Sequence, residues 1–492
     1  MGVPGLRDYL ATAHAEAVLD RMPGGWCDHL YVDMNSLVHD AVRHAKSEKA
    51  ALQSITNALT TLVTQHRPYR SLTLALDGPA PLAKLNEQRQ RRLKRHKPRG
   101  KGLSSSIVTV GTPFMRDLNA LLYSWAARST WLPLMIVVDP SLNAGEGELK
   151  LFSHLTAAAH RSRAVLEEHS HLVVGGDADL MLLALTCPAR HVVVRAPPTG
   201  RGGRHVYFSC ELFRRRLAHL APVPSSSSPP PPPSATPPPS PEQSGPRAAA
   251  LDFVLLALLS GDDYLPRLRG YSLQRAVDAY HEIACRRLVV CSDLVPCSDH
   301  ATSGSEASTS TMLSTSGSEA STSTTLSIDV RALGQLLVAL VDGELRTRRA
   351  TATASCATAT VSRASTIGGM GEARPAAEVE TAAGQYLEGL LWTLTMYSEA
   401  HCPDYHWVLD EERGLAPTVD ELAELFSDER ACARLDASVA CPRSARAPPS
   451  AAEVPLLVLP AAGSQLALPP VRPLFEPKSS LYPAACTLSS SR

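Results

Sequence analysis

Several short apolar runs in this chain end on a carboxylate: "LYVD" at Asp33, "LTLALD" at Asp77, and "LVVGGDAD" at Asp177 and Asp179. "NAGEGELK" adds Glu146 and Glu148, and "LLSGDDYLP" adds Asp262 and Asp263. A single acid behind a strand is ordinary turn chemistry. Five places repeating the pattern ask for more, because gathering negative charge is unfavourable unless cations neutralise it. The donors are all carboxylates, with no histidine or cysteine pattern beside them, which selects hard ions, Mg²⁺ or Mn²⁺, over zinc. Such a nest suits hydrolysis of a phosphodiester with two ions, one lowering the pKa of the attacking water and one steadying the departing oxygen.

A basic stretch follows one of these acids. In "DGPAPLAKLNEQRQRRLKRHKPRGK" (77–101), Lys84, Gln88, Arg91, Arg92 and Arg95 stand at helical offsets of four, seven, eight and eleven and so share one face. Alone, the run would read as a solvated helix face or a nuclear-localisation signal. Starting from Asp77, it should border the carboxylates, and arginine's planar fork matches phosphate oxygens. A phosphate pocket beside a hydrolytic metal site is the expectation.

To bring these groups together the chain needs a sheet. "HLYVDMN" (29–35), "SLTLALDG" (71–78), "LPLMIVVD" (132–139), "HLVVGGD" (171–177) and "RHVVVR" (190–195) alternate with helical segments such as "SITNALTTLVTQH" and "GELKLFSHLTAAAHR". That order predicts an α/β domain with a mostly parallel sheet flanked by helices, whose strand ends line one ligand-binding edge. The nuclease domain is expected over 1–285, interrupted by a disordered Pro-rich insertion at 222–248 that must loop out of it, since Asp263 lies beyond. A low-complexity Ser/Thr-rich insertion, with "TSGSEASTST" present twice, should occupy 286–330. A smaller, mainly helical second region is expected over 331–480, with low complexity at 348–380, and a tail at 481–492.

Lysine plus arginine balance aspartate plus glutamate at 48 each, so no global field argues for nucleic acid and the case rests on local clustering. The 11 cysteines form no CxxC pair and read as free thiols in a reducing compartment. "MGVPGLRDYL" lacks the apolar core of a signal peptide, Leu6 stands where a myristoylation motif wants Ser or Thr, and no apolar run is long enough for a bilayer. The expectation is an intracellular protein, nuclear or cytoplasmic, neither secreted nor membrane-bound.

The motifs resemble, in order, those of the eukaryotic 5′→3′ exoribonuclease (Xrn/Rat) family: "MGVPGLRDYL", "LYVDMNSLVH", "ALDGPAPLAKLNEQRQRR", "VGTPFMRDLN", "GEGELK", "GGDADLMLLAL" and "SGDDYLP". "EGLLWTL", "CPDYHW", "GLAPTVDEL" and "PLFEPKSSLYPAA" resemble its second conserved region more loosely. The resemblance implies a PIN-like nuclease sheet, divalent metal, and removal of mononucleotides from single-stranded RNA bearing a 5′-monophosphate, in mRNA decay or RNA processing. It implies Asp33, Asp77, Glu146, Glu148, Asp177, Asp179 and Asp263 as the catalytic, metal-binding acids and two Mg²⁺ or Mn²⁺ ions as cofactor. It implies Lys84, Gln88, Arg91 and Arg92 as the 5′-phosphate pocket, and base stacking by His39 with either Trp392 or Trp407. Decay or processing factors could engage the disordered segments. Two departures stand out: Asp262 replaces an asparagine and adds a negative charge beside Asp263, and Leu149 replaces a histidine. A flap-type structure-specific DNA nuclease and a catalytically weakened RNA-binding or scaffold protein remain as alternatives.

Overall fold

The computed structural model describes residues 2–94, 102–132, 135–196, 205–220, 241–282, 287–293, 324–356, 374–409 and 416–476. A seven-stranded sheet lies at the centre, built from β1 (Val18–Leu19), β2 (His29–Asp33), β3 (Ser71–Ala75), β4 (Met135–Asp139), β5 (Ser170–Val174), β6 (His191–Ala196) and β7 (Val206–Ser209). Its order is β1-β7-β6-β5-β2-β3-β4. Strands β2 to β6 run parallel, and β7 and β1 add an antiparallel edge. The five parallel strands, β2 to β6, coincide with the five apolar runs; β1 and β7 are too short to announce themselves in sequence.

The inner strands alternate between two cores. Tyr31, Val173, Val192 and Val194 face one side, while Leu30, Val32, Leu72, Leu74, Leu172 and Val174 face the other. Burial on both faces explains why these strands read as continuous apolar runs rather than alternating ones. Around the sheet lie α1 (Leu6–Ala13), α2 (Met34–His44), α3 (Glu48–His66), α4 (Leu82–Lys94), α5 (Pro113–Arg128), α6 (Gly147–Arg161), α7 (Arg163–Glu167), α8 (Asp179–Thr186), α9 (Cys210–Leu220), α10 (Pro241–Leu258) and α11 (Leu273–Glu282). Local chemistry sets their starts: Ser47 caps α3 by accepting from the Ala50 N–H, and Thr112 caps α5 just ahead of Pro113.

The second half is helical apart from an antiparallel pair, β8 (Val289–Asp293) with β9 (Thr324–Ile328). It contributes α12 (Val330–Cys356), α13 (Ala376–Glu399), α14 (Val419–Ser427), α15 (Glu429–Ser438) and α16 (Val454–Val458). Helix α13 enters the same core as α8 and α10, and Thr186 Oγ1 donates to the Tyr397 carbonyl at 2.8 Å. The ends of α10 and α12 fall inside stretches read from sequence as a Pro-rich insertion to 248 and as low complexity from 348. In α10 the cause is visible: "RAAALDFVLLAL" consists almost wholly of good helix formers and carries the helix back past the proline-rich composition. The rest of these stretches (221–240, 294–323 and 357–373) and the tail at 481–492 lie outside the described residues. Among the described residues, no helix is long and apolar enough to cross a membrane.

Candidate active site

Strands β3 and β4 follow β2 outward on one side, while β5 and β6 follow on the other, so the strand order reverses between β2 and β5. In open α/β sheets the crevice beyond the carboxyl ends at such a reversal is where ligands bind. Asp33 closes β2 there, with Asp177 and Asp179 just after β5 and Asp77 just after β3 beside it. Glu146 and Glu148 sit at the start of α6, and Asp263 follows α10.

All seven acids fall in one electrostatic neighbourhood. Burial, then Asp77, Asp177 and Glu146 nearby, push the Asp33 carboxyl well above its usual range. Burial, then Asp179, Glu146 and Asp177, do the same to Glu148. The Asp179 carboxyl is pushed up to about 6 by burial, with Asp263 and Asp177 adding to the rise and Lys84 opposing it. Asp33, Glu146, Glu148, Asp179 and Asp263 are each less than a tenth exposed, so this charge is held out of water.

Residues that the spacing argument did not single out hold these acids in place. Asn35 Nδ2 donates to Asp77 Oδ1 at 2.6 Å, and the Asn35 backbone N–H donates to Asp33 Oδ1 at 3.0 Å, so one residue spans two strand ends. The Gly147 N–H donates to the same Asp77 oxygen at 2.8 Å. A Cβ on Gly147 would stand 2.8 Å from Asp33 Oδ1 and 3.1 Å from Asn35 Nδ2, which accounts for a glycine between Glu146 and Glu148. Lys150 Nζ donates to the Leu76 and Pro140 carbonyls at 2.9 and 2.8 Å, pinning the loop that carries Asp77. The N-terminal segment closes over α8: the Val3 N–H donates to Asp179 Oδ1 at 3.0 Å, and Gly2, at φ +67°, leaves no room for a side chain against that carboxylate. Arg7 donates to the Gly176 carbonyl, within the field of Asp177 and Asp179.

Basic and acidic groups meet at Asp263. Lys84 Nζ lies 2.5 Å from Glu146 Oε2 and 2.6 Å from Asp263 Oδ2, and Arg91 Nη2 lies 2.8 Å from Asp263 Oδ1. Burial alone would raise Asp263, but Lys84 and Arg91 outweigh it and hold the carboxyl below its usual range. Arg92 is different: burial lowers its guanidinium to about 10, and its Nη1, shielded from solvent, has no hydrogen-bond partner among the described residues. Gln88 is half-buried on α4, one turn from Lys84 and Arg92. His39 is exposed on α2, one turn beyond Asn35, and feels the charges of Asp77, Asp177 and Arg92.

The departures have local explanations. Asp262 Oδ1 accepts from the Tyr264 and Leu265 N–H groups at 2.7 Å each, the turn-capping work an asparagine would do. Burial, then Asp179, push its carboxyl up to about 8, which opposes the extra negative charge suggested by the sequence. Leu149 is buried in the core below the acids. Of the two tryptophans, Trp392 is wholly buried, its ring covered by Trp407 at 5.1 Å and by Tyr264 at 5.4 Å between centroids. Trp407 is half-buried and lies against Gly389, where a Cβ would come within 2.5 Å of its ring. Tyr264 in turn donates its hydroxyl to Glu146 Oε1, tying this aromatic group to the acids.

The donor set fits hard divalent cations. Among the described residues, Tyr397 Oη and Asp262 Oδ2 are buried without a hydrogen-bond partner, and Tyr397 feels Asp179, Asp262, Glu148 and Glu146. Orphaned polar atoms beside excess carboxylate mark a place for water or an ion. Among the described residues, no three acid, histidine or cysteine side chains close tightly enough to hold an ion unaided. Magnesium does not need that, since it keeps several waters and takes one or two carboxylates.

Residues 1–103 and 95–196 match the family model for the XRN 5'-3' exonuclease N-terminus. The chain is 30% identical over 207 residues to the 5'-3' exoribonuclease 2 of Aspergillus oryzae, covering 33% of this chain and 20% of that protein. Against the protein of the same name in Saccharomyces cerevisiae it is 28% identical over 210 residues, covering 34% and 20%. The chain spans about a fifth of the length of the curated relatives it matches. Among solved structures, the catalytic core of Rad2 in complex with DNA substrate aligns at a TM-score of 0.32 and 13% identity, over 56% of this chain and 67% of that one.

Proposed function

We propose, from the match of its first 196 residues to the XRN 5'-3' exonuclease N-terminus, that this chain is a member of the Xrn/Rat family and a divalent-metal-dependent 5′→3′ exoribonuclease. Its substrate is single-stranded RNA with a 5′-monophosphate, released as mononucleotides, in RNA decay or processing. The observation that carries the reading is the juncture at Asp263, where a basic helix face and a nest of buried carboxylates meet within hydrogen-bonding distance. One group suits a terminal phosphate and the other the phosphodiester next to it.

Asp33, Asp77, Glu146, Glu148, Asp177, Asp179 and Asp263 would hold the cations, Mg²⁺ or Mn²⁺ and two in number. The chemistry such ions supply when bound is activation of water and stabilisation of the departing 3′ oxygen. The side chains do the rest. Lys84, Gln88, Arg91 and Arg92 receive the 5′-phosphate and so set the distance from the RNA end to the acids. Asn35, Gly147 and Lys150 fix Asp77, so that little reorganisation accompanies reaction. His39 offers an exposed ring to the first base, and Trp407 a half-buried one; Trp392, with both sides covered, is left to hold Trp407 in place.

Two expectations follow from this arrangement. Trp407→Ala weakens RNA binding by about 1–3 kcal/mol, the worth of one base on an aromatic platform, and does so for every base sequence, as fluorescence anisotropy with homopolymers will show. For substrate class, the decisive comparison is single-stranded 5′-phosphorylated RNA against a DNA flap under the same Mg²⁺. Faster turnover of the RNA supports the reading. Faster cleavage of the flap would assign the site to a structure-specific DNA nuclease instead.

A further inference from the structure

Two of the cations assigned to the RNA end are already engaged. Asp263 presents one oxygen to Lys84 Nζ at 2.6 Å and the other to Arg91 Nη2 at 2.8 Å, while Glu146 takes Lys84 from a second side at 2.5 Å. Arg91 also pairs with Glu87 on its own helix. A carboxylate bridging two cations through separate oxygens is the contact that two oxygens of a terminal phosphate would make. Arg92, one residue further on, carries the buried Nη1 that has no hydrogen-bond partner among the described residues. The basic face therefore holds one guanidinium with a donor in reserve and two side chains whose carboxylate partner also belongs to the acidic nest.

We propose that Asp263 is a specificity-determining residue that competes with the 5′-phosphate for Lys84 and Arg91. A divalent cation that drew on the Asp263 carboxylate would free for the RNA end the donors that Lys84 and Arg91 now give to it, leaving Lys84 on Glu146 and Arg91 on Glu87. The proposal rests on the exoribonuclease reading above and adds a coupling to it. Cation and 5′-phosphate bind cooperatively, and by linkage each raises the affinity of the other by the same factor. A permanent structural ion pair predicts the reverse, because removing Asp263 would then leave the basic helix loose and weaken phosphate binding.

The test measures binding in EDTA, using the full chain and fluorescent single-stranded RNA with either a 5′-phosphate or a 5′-hydroxyl. For Asp263→Asn the expected result is a roughly tenfold gain in affinity for the phosphorylated RNA, about the worth of one charge-assisted contact, with the hydroxyl RNA unchanged. In an Arg91→Ala background that gain should shrink to about twofold or less, since contact effects are non-additive between neighbours. A gain of equal size in both backgrounds would mean long-range charge removal and would overturn the competition. Unchanged or weaker phosphate binding, with hydroxyl-RNA binding and thermal unfolding intact, would also overturn it. If the variant does not fold, wild type decides: Ca²⁺, a hard ion that takes oxygen ligands, should raise the preference for the phosphorylated end, and no change would sink the proposal. Failure to distinguish the two ends under any of these conditions defeats the exoribonuclease reading itself, and the coupling falls with it. A stable end preference that neither Asp263→Asn nor Ca²⁺ moves defeats the coupling alone.

Discussion

Replacing Asp179 with asparagine will make the protein more stable in EDTA and nearly inactive in Mg²⁺. Asp179 is almost fully buried, and its carboxyl is pushed from an ordinary 3.8 up to about 6 by burial first and by Asp263 and Asp177 after it. A carboxyl raised in the folded state favours folding fully below its unfolded value, and that favour is lost as pH rises through the folded one. The wild-type protein without cations should therefore lose stability between about pH 4 and pH 6, by about 2–3 kcal/mol from this residue. Asparagine keeps an oxygen for the Val3 N–H and removes the charge, so the variant should lose less stability than wild type through that window and lie above it at pH 7.5. Turnover should fall by about 10²–10³-fold, the scale of losing one preorganised electrostatic contact in an active site. Urea unfolding in EDTA from pH 3.5 to 8, with RNA turnover in Mg²⁺ at pH 7.5, checks both halves. A variant less stable than wild type at pH 7.5 would mean that the buried acid is a structural ion-pair partner rather than a charge awaiting a cation.

Replacing Arg92 with alanine will erase the preference for a phosphorylated end. Its Nη1 is shielded from water and without a hydrogen-bond partner among the described residues, and burial lowers its guanidinium to about 10, the direction expected of a cation without sufficient compensation. An anion arriving there meets a donor that has given up its water in advance. A hydrogen bond to a charged group contributes about 1.5–3 kcal/mol, so kcat/KM for 5′-phosphorylated RNA should drop by about 10–100-fold, while the rate on 5′-hydroxyl RNA stays within about twofold. Folding should not suffer, since Arg92 makes no ion pair among the described residues. Equal losses on both RNAs would place Arg92 along the strand and not at its end.

Much of this arrangement is legible in the sequence because it depends on local signals. Strands buried on both faces must be apolar throughout, so "LYVD", "LTLALD" and "LVVGGDAD" mark both the strand and the acid that ends it. The spacing of Lys84, Gln88, Arg91 and Arg92 needs nothing but helical periodicity. What stays hidden depends on contacts between distant positions. Asn35 is an ordinary residue after a strand until Asp77, 42 residues later, folds against it. Asp262 looks charged in sequence, and only the fold shows that burial beside Asp179 pushes its carboxyl up to about 8. Trp392 and Trp407 cannot be ranked by type; packing against Tyr264 and Gly389 decides which keeps an exposed edge. That Lys84 and Arg91 lie on Asp263, across more than 170 positions of chain, is likewise a fact of the fold alone.

The central claim is that one site both reads a phosphorylated RNA end and hydrolyses the bond beside it. It is tested most directly with a single RNA, carrying a 5′-phosphate or a 5′-hydroxyl and labelled at either terminus, incubated with Mg²⁺ or with EDTA. The account predicts mononucleotides released from the 5′ end, from the phosphorylated RNA, in Mg²⁺ and not in EDTA. No turnover of either RNA, with RNA binding intact, would contradict it and leave a binding protein whose acids no longer catalyse.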